Sequence, residues 1–284
     1  MADPRIDIRP LSGALGAEIA DVDLSTPMDK AAFETIRSAF LEHGVVFFRD
    51  QELSREAQLD FARRFGKPDI HPIADGMDEH PEVILVRKPA GEEAFFGTSW
   101  HTDNSFFERP SAITLLYGED VPAFGGDTLF ASMEHAYDAL SDVMKAFLAP
   151  LAAVHSASRA YDPRTTGDEK YRGEAAITYT YSESIYDEVE HPVIRTHPET
   201  GRKSIYVNAM FTQRIVGLNP DESTALLSML YEHATRPEFT CRYRWTPGSV
   251  AMWDNRCLQH YAIDDYRDFE RVMYRVTIGG TRPS

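Results

Sequence analysis

The sequence predicts a mainly β chain with flanking helices, organised as one domain over residues 1–284. Three observations carry this prediction. Arg271 to Ile278 alternates, placing Val272, Tyr274, Val276 and Ile278 on one face and Arg271, Met273, Arg275 and Thr277 on the other. Val45-Val46-Phe47-Phe48 is a continuous apolar run suited to a strand buried on both faces. His191 to Thr196 and Lys203 to Val207 flank a Pro-Glu-Thr-Gly turn and read as a hairpin. All-β units commonly fill a chain of this length.

In chain order, Ile6 to Arg9 reads as a short strand, and Leu24-Ser25-Thr26-Pro27 turns into a helix with Phe33, Ile36 and Phe40 on one face. His43-Gly44 stops that helix. Ser54 caps a second, which presents Leu59, Ala62 and Phe65 before Gly66. Arg87 to Ser99, rich in Gly, Glu and small residues, reads as a mobile loop. Gly125-Gly126 turns the chain into a strand carrying Asp127, Thr128 and Leu129. Ser132 and Ser141 cap short helices that pack through Tyr137, Leu140, Met144 and Phe147. Residues 156–190 are polar and tyrosine-rich without a sustained period, and read as a lid. Asn219-Pro220-Asp221-Glu222 supplies a cap, a proline at the first helical position and an acid at the third, so a helix is predicted through His233. Phe239 to Trp245, a Thr-Pro-Gly-Ser turn and Val250 to Trp253 read as a second hairpin.

A formal net charge of -16 disfavours nucleic acid and anionic membranes as partners, since either calls for a basic face. An anionic small molecule must then be caught by local arginines. The opening MADPRIDIRP has no apolar segment of a secretory signal, and the apolar run near Phe147 to Val154 is short and broken by Pro150. A soluble cytoplasmic protein is expected. Cys241 and Cys257 are the two cysteines, which form no disulfide framework and suit a reducing compartment.

The chemistry centres on His101-Thr102-Asp103. In an extended strand, residues i and i+2 share a face, so an imidazole and a carboxylate project side by side. Such a triplet is weak evidence alone. His260 supplies a third candidate ligand, seven residues beyond the apolar strand Val250 to Trp253. Two imidazoles and a carboxylate match the facial set of non-haem Fe(II) oxygenases, and equally a catalytic zinc site. Arg271 and Arg275 follow on one face of one strand. A solvated edge would explain them; so would two anionic ligands beside a metal, since a buried guanidinium needs a partner such as a carboxylate or sulfonate. Most of the ten histidines, including His43, His80, His191, His197 and His233, are read as surface residues, and His155 as structural.

The motifs WHTD, GGDTLF, WDNRCLQH and the arginines eleven and fifteen residues after His260 occur in this order. In them the chain resembles the taurine dioxygenase family of Fe(II)- and 2-oxoglutarate-dependent oxygenases, which includes alkylsulfatase and aryloxyalkanoate dioxygenases. The resemblance implies a double-stranded β-helix, or jelly roll. It also implies that His101, Asp103 and His260 are the iron ligands. Thr128 and Arg271 would hold the distal carboxylate of 2-oxoglutarate, and Arg275 with His71 the anionic group of a small sulfonate, sulfate or carboxylate. The implied reaction uses dioxygen to hydroxylate a carbon near that group, in a homo-oligomeric protein. Ala74, Gly97 and Ala157 stand where taurine-specific members carry larger residues, so a substrate larger than taurine is expected. The segments His155 to Arg159 and Leu230 to Arg236 look more like an aryloxyalkanoate dioxygenase, which is the alternative. A zinc hydrolase on the same ligands would need neither Arg271 nor 2-oxoglutarate. A non-catalytic jelly-roll binding module would not bind Fe(II).

Overall fold

The computed structural model describes residues 6–91, 97–162 and 182–284. The expected lid therefore falls partly outside the described residues, at 163–181, as does the centre of the expected loop at 92–96.

Strands β1 (Asp7–Pro10) and β2 (Ala17–Ala20) lead into helix α1 (Lys30–His43). Asp29 Oδ1 accepts from Ala32 N–H at 2.8 Å to start α1, and Gly44, at φ +72°, ends it by donating to Phe40 O. Strand β3 (Val45–Phe48) follows directly, then α2 (Arg55–Arg63), capped by Ser54. The middle of the chain holds β4 (Val83–Lys88), β5 (Ile113–Asp120), β6 (Thr128–Ser132), α3 (Met133–Asp138), α4 (Asp142–Leu148), β7 (Ala152–His155) and α5 (Ser158–Tyr161). Then come β8 (Val189–Pro192), β9 (Ile194–Thr196), β10 (Lys203–Ile205), β11 (Thr212–Ile215) and α6 (Pro220–Ala234). Helix α6 opens on a full capping box between Asn219 and Glu222. The chain closes with β12 (Thr240–Tyr243), β13 (Ser249–Asp254), β14 (Leu258–Ala262) and β15 (Arg271–Ile278).

The large sheet has seven strands in the order β1-β2-β3-β13-β5-β15-β4, and a three-stranded sheet runs β12-β6-β14. The alternation of β3 shows how they stack. Val46 and Phe48 point to one side, where Ile36 and Phe40 of α1 and Leu59 of α2 cover them. Val45 and Phe47 point to the other, against Phe130 of β6 and Tyr243 of β12. Strand β13 repeats the pattern, with Val250 and Met252 toward the helices and Ala251 and Trp253 toward the smaller sheet. Each such side chain stabilises the fold by about 1.5–3 kcal/mol on burial, so two packed layers are held by one sheet. This is the jelly-roll arrangement. Strand β15 belongs to the same scheme: Val276 and Ile278 join the helix-side core and Met273 the inter-sheet core. Arg271 and Arg275, in phase with Met273, thus face the space between the sheets. No helix among the described residues is long and apolar enough to cross a membrane.

Several local expectations are corrected. The second hairpin is absent, because β12 pairs with β6 while β13 pairs with β3 and β5. The Thr246–Ser249 turn carries the chain from one sheet to the other, and alternation alone does not distinguish a hairpin from such a crossing. Arg87 and Lys88 belong to β4 rather than to a loop. Phe147 is 48% exposed, since the short α4 buries only Leu148. His191 and His197 are buried, at 1% and 2% exposure, because both imidazoles find polar partners inside. The hairpin of β9 and β10 forms as expected.

Candidate active site

His101 and His260 are opposite partners on an isolated antiparallel bridge, with His101 N–H donating to His260 O at 3.1 Å and the reverse bond at 2.9 Å. The ladder thereby sets the two rings side by side, their centroids 4.1 Å apart. Of the expected strand, only His101 is bridge-paired. The chain turns after Asp103, where Asn104 takes φ +56°, a left-handed conformation that asparagine tolerates better than most residues. The turn still delivers both side chains to one point. Asp103 Oδ1 lies 3.7 Å from His101 Nε2 and 3.8 Å from His260 Nε2, and all three residues are buried.

The surroundings fix these groups. His101 Nδ1–H donates to Ser99 O at 2.7 Å, which leaves the Nε2 lone pair facing Asp103. Thr114 Oγ1 donates to Asp103 Oδ2 at 2.7 Å. Asn255 joins the set from both ends: its Oδ1 accepts from Asp103 N–H, and its Nδ2 donates to Thr114 Oγ1 at 2.8 Å. Burial holds the His260 imidazole down to about 3, helped by the neighbouring His101, and lowers His101 likewise. Burial alone would raise the Asp103 carboxyl, yet Arg275 and the two imidazoles keep it well below the ordinary range. The set therefore presents a carboxylate and two neutral imidazoles, the protonation states that bind a divalent metal.

These residues line a cavity of about 90 Å³. Thr128, Arg271 and Arg275 line it too, while Val86, Leu116, Phe211, Trp253 and Met273 supply apolar wall. Thr128 Oγ1 accepts from Trp245 Nε1–H at 2.9 Å, so its own hydroxyl hydrogen stays available. Arg271 lies against the rings of Trp245 and Tyr266, and among the described residues its buried Nε and Nη2 have no partner. A buried guanidinium with unused donors, beside a metal-type triad, fits an anionic co-substrate such as a dicarboxylate. Arg275 Nη2 stands 2.9 Å from Asp103 Oδ1, a charge contact whose angle is not that of a hydrogen bond.

His71 is placed differently from the expectation. It is buried, but it borders a neighbouring cavity of about 140 Å³, and Asn104 stands between it and the metal-type cavity. Its Nδ1 accepts from Ile73 N–H and its Nε2–H donates to Asn104 Oδ1 at 3.0 Å. Among the three small residues expected to enlarge the pocket, Gly97 lines the cavity. Ala157 is packed against Phe106 and Phe211, and Ala74 against Ile84, so neighbours take up the space at those two positions.

Thr114, Asn104 and Asn255 were not singled out by sequence reasoning. Asn255 stands within the WDN triplet, which was a signal. Thr114 is an ordinary strand threonine that only pairing places beside Asp103. A second cluster, His197, Asp254 and Cys257, is buried as well. Its carboxylate is already bound by Arg256 through two contacts of 2.7 and 2.6 Å and by His197 at 3.0 Å. A cation there would face a guanidinium, so the group is an ion-pair network that anchors the turn before β14.

Comparison with known proteins adds an independent line. The model of the "Taurine catabolism dioxygenase TauD, TfdA family" matches residues 7–277. An alkylsulfatase of Acinetobacter baylyi is 39% identical over 277 residues, covering 97% of this chain and 86% of the relative. An alpha-ketoglutarate-dependent sulfate ester dioxygenase of Pseudomonas putida is 37% identical over 286 residues, covering 98% and 91%. The crystal structure of a taurine dioxygenase from Burkholderia xenovorans matches with a TM-score of 0.82 at 39% identity, over 99% of this chain and 93% of that one.

Proposed function

This chain belongs to the taurine catabolism dioxygenase TauD, TfdA family, and from that membership we propose that it is an Fe(II)- and 2-oxoglutarate-dependent dioxygenase. Its substrate is a small organic sulfonate, sulfate or carboxylate, larger than taurine, hydroxylated at a carbon near the anionic group. The observation that carries the reading is the pairing, in one cavity, of the His101–Asp103–His260 set with Arg271, whose buried Nε and Nη2 have no partner among the described residues.

His101, Asp103 and His260 would hold the iron, leaving positions open for other ligands. Bound there, Fe(II) supplies dioxygen activation coupled to decarboxylation of 2-oxoglutarate to succinate and carbon dioxide. The protein's own residues orient and enclose. Arg271 binds the distal carboxylate of 2-oxoglutarate through its free Nε and Nη2 donors, and Thr128 adds its hydroxyl. Arg275 attracts the substrate's anionic group, and His71 supports that subsite through Asn104. Trp253, Phe211 and Met273 exclude water from the reacting carbon. Tyr161, on α5, lines the cavity, so the described start of this segment forms part of the site's wall. A carbon bearing both hydroxyl and a sulfo-oxy group breaks down to an aldehyde and sulfate.

The alkylsulfatase and sulfate ester dioxygenase relatives favour a sulfate ester among these substrate classes. The reading takes the chain as one catalytic domain, cytoplasmic and homo-oligomeric. Its test is succinate formation with Fe(II), 2-oxoglutarate and a panel of taurine, longer alkylsulfonates, alkyl sulfates and aryloxyalkanoates. Stimulation by a compound bulkier than taurine is expected; fastest turnover of taurine itself would overturn the size argument.

A further inference from the structure

The loop 263–270 joins β14, which carries His260, to β15, which opens on Arg271. Tyr266 is its one buried residue. The seat of this loop has two parts. Gly125 and Gly126, both at positive φ, lie against it: a Cβ at Gly126 would stand 3.1 Å from Tyr266 Cδ1, and one at Gly125 2.8 Å from Asp265 O. Gly126 N–H also donates to Asp265 Oδ1 at 2.7 Å. From β4, the buried Lys88 Nζ donates to Arg267 O at 2.7 Å and Phe269 O at 3.1 Å, with Tyr266 O at 3.5 Å. Lys88 and Arg271 stand opposite each other on paired strands, a like-charge placement that is destabilising unless each charge is otherwise engaged. Backbone carbonyls engage Lys88, and the Tyr266 ring lies near both cations, 5.0 Å from Lys88 Nζ and 5.4 Å from Arg271 Cζ.

The consequence falls on Arg271. Its Nη1 donates to Tyr266 Oη at 3.5 Å, and the Trp245 ring lies 5.5 Å from its Cζ. Nε and Nη2 remain, buried and without a partner among the described residues. These two donors share one edge of the guanidinium plane, the parallel fork that matches the two oxygens of a carboxylate. We propose that Tyr266 and Lys88 are positioning residues for the co-substrate: Tyr266 fixes the edge that Arg271 presents to the distal carboxylate, and Lys88 pins the loop that carries Tyr266. The inference rests on the dioxygenase reading above and adds to it two residues outside the cavity wall. It also gives Gly125-Gly126 a reason, since a side chain at either position would lift the loop and Tyr266 with it.

The experiment compares binding of 2-oxoglutarate with that of 2-oxopentanoate, which has a methyl group in place of the distal carboxylate, by calorimetry on the Co(II)-loaded protein. Tyr266→Leu should weaken 2-oxoglutarate about 10-fold, the range for a lost cation–π contact and hydrogen bond, with 2-oxopentanoate and Co(II) affinity unmoved. Tyr266→Phe keeps the ring and its packing on Gly126, and should lose only about threefold. Lys88→Met, of similar shape and uncharged, should weaken 2-oxoglutarate in the same selective way and, in the metal-free protein, speed hydrogen exchange of residues 263–270. Neither Tyr266→Leu nor Lys88→Met should weaken 2-oxoglutarate further in an Arg271→Ala background, because both act through that guanidinium. Equal losses for the two keto acids, unchanged 2-oxoglutarate affinity in Tyr266→Leu, or a further loss in the Arg271→Ala background would overturn the inference while leaving the dioxygenase reading intact. A wild type that binds neither keto acid would overturn that reading, and the inference with it.

Discussion

Thr114 on β5 donates its hydroxyl to Asp103 Oδ2 at 2.7 Å, and this bond decides which carboxylate oxygen faces the histidines. Oδ1 is left 3.7 and 3.8 Å from the two Nε2 atoms. Thr114→Val removes the donor while keeping the shape and the strand propensity. The carboxylate is then free to rotate, and Co(II) or Fe(II) affinity is expected to fall about 10- to 100-fold with the fold retained. Titration of Co(II) absorption checks it, and unchanged affinity would show that the triad needs no such support.

Arg271 makes a different prediction, because its role is toward the co-substrate. Arg271→Ala should weaken 2-oxoglutarate binding by about 100-fold or more, as expected for losing a hydrogen-bonded ion pair in a buried site, and leave Co(II) affinity nearly intact. Calorimetry of 2-oxoglutarate binding to the Co(II)-loaded protein separates the two. A zinc hydrolase on these ligands would be indifferent to the change.

Stability should fall in mild acid, and two buried imidazoles give the sign. Burial, with His191 beside it, pushes His155 down to about 3, and burial pushes His191 down to about 4. Both folded values lie below the ordinary 6.5, so as pH falls the unfolded chain takes up protons first. Their contribution is complete above pH 6.5 and is lost progressively toward pH 3–4; at pH 5 the loss is about 2 kcal/mol per imidazole. Urea midpoints at pH 7.5 and 5 in wild type and His155→Gln measure it. The variant should show the smaller drop between the two pH values, and an equal drop would assign the acid sensitivity elsewhere.

Gly97 tests how tightly the cavity is built. It has φ +73°, and a Cβ there would lie 3.3 Å from His101 Cε1. Gly97→Ala combines backbone strain of about 1–2 kcal/mol with pressure on a candidate ligand. Weaker Co(II) binding at little change in the rest of the fold is expected. Wild-type affinity in the variant would mean that the loop before His101 yields freely.

How much of this was legible depended on whether a residue's role lies in its own stretch of chain. The β3 run, the capping box at Asn219 and the alternation of β15 are local patterns, and the same sterics that make them visible in sequence act in the fold. The triad was readable because His-x-Asp is local and His260 follows its own motif. The crossing between β12 and β13 was not, since two adjacent strands look alike whether they pair with each other or with strands far away. Burial of His191 and His197 was hidden for a similar reason: their partners, Phe107 O and Asp254, lie 84 and 57 residues away. His71 borders the neighbouring cavity rather than the metal-type one, and the asparagine in front of it appears only in three dimensions.

The most direct test of the central claim is the stoichiometry of the reaction: succinate formed, oxygen consumed and sulfate released from an alkyl sulfate by Fe(II)-loaded protein, with and without 2-oxoglutarate. The account predicts equal amounts of the three, no sulfate without 2-oxoglutarate, and loss of all three in His260→Ala. Sulfate release that proceeds without oxygen or 2-oxoglutarate would contradict it and show hydrolysis instead.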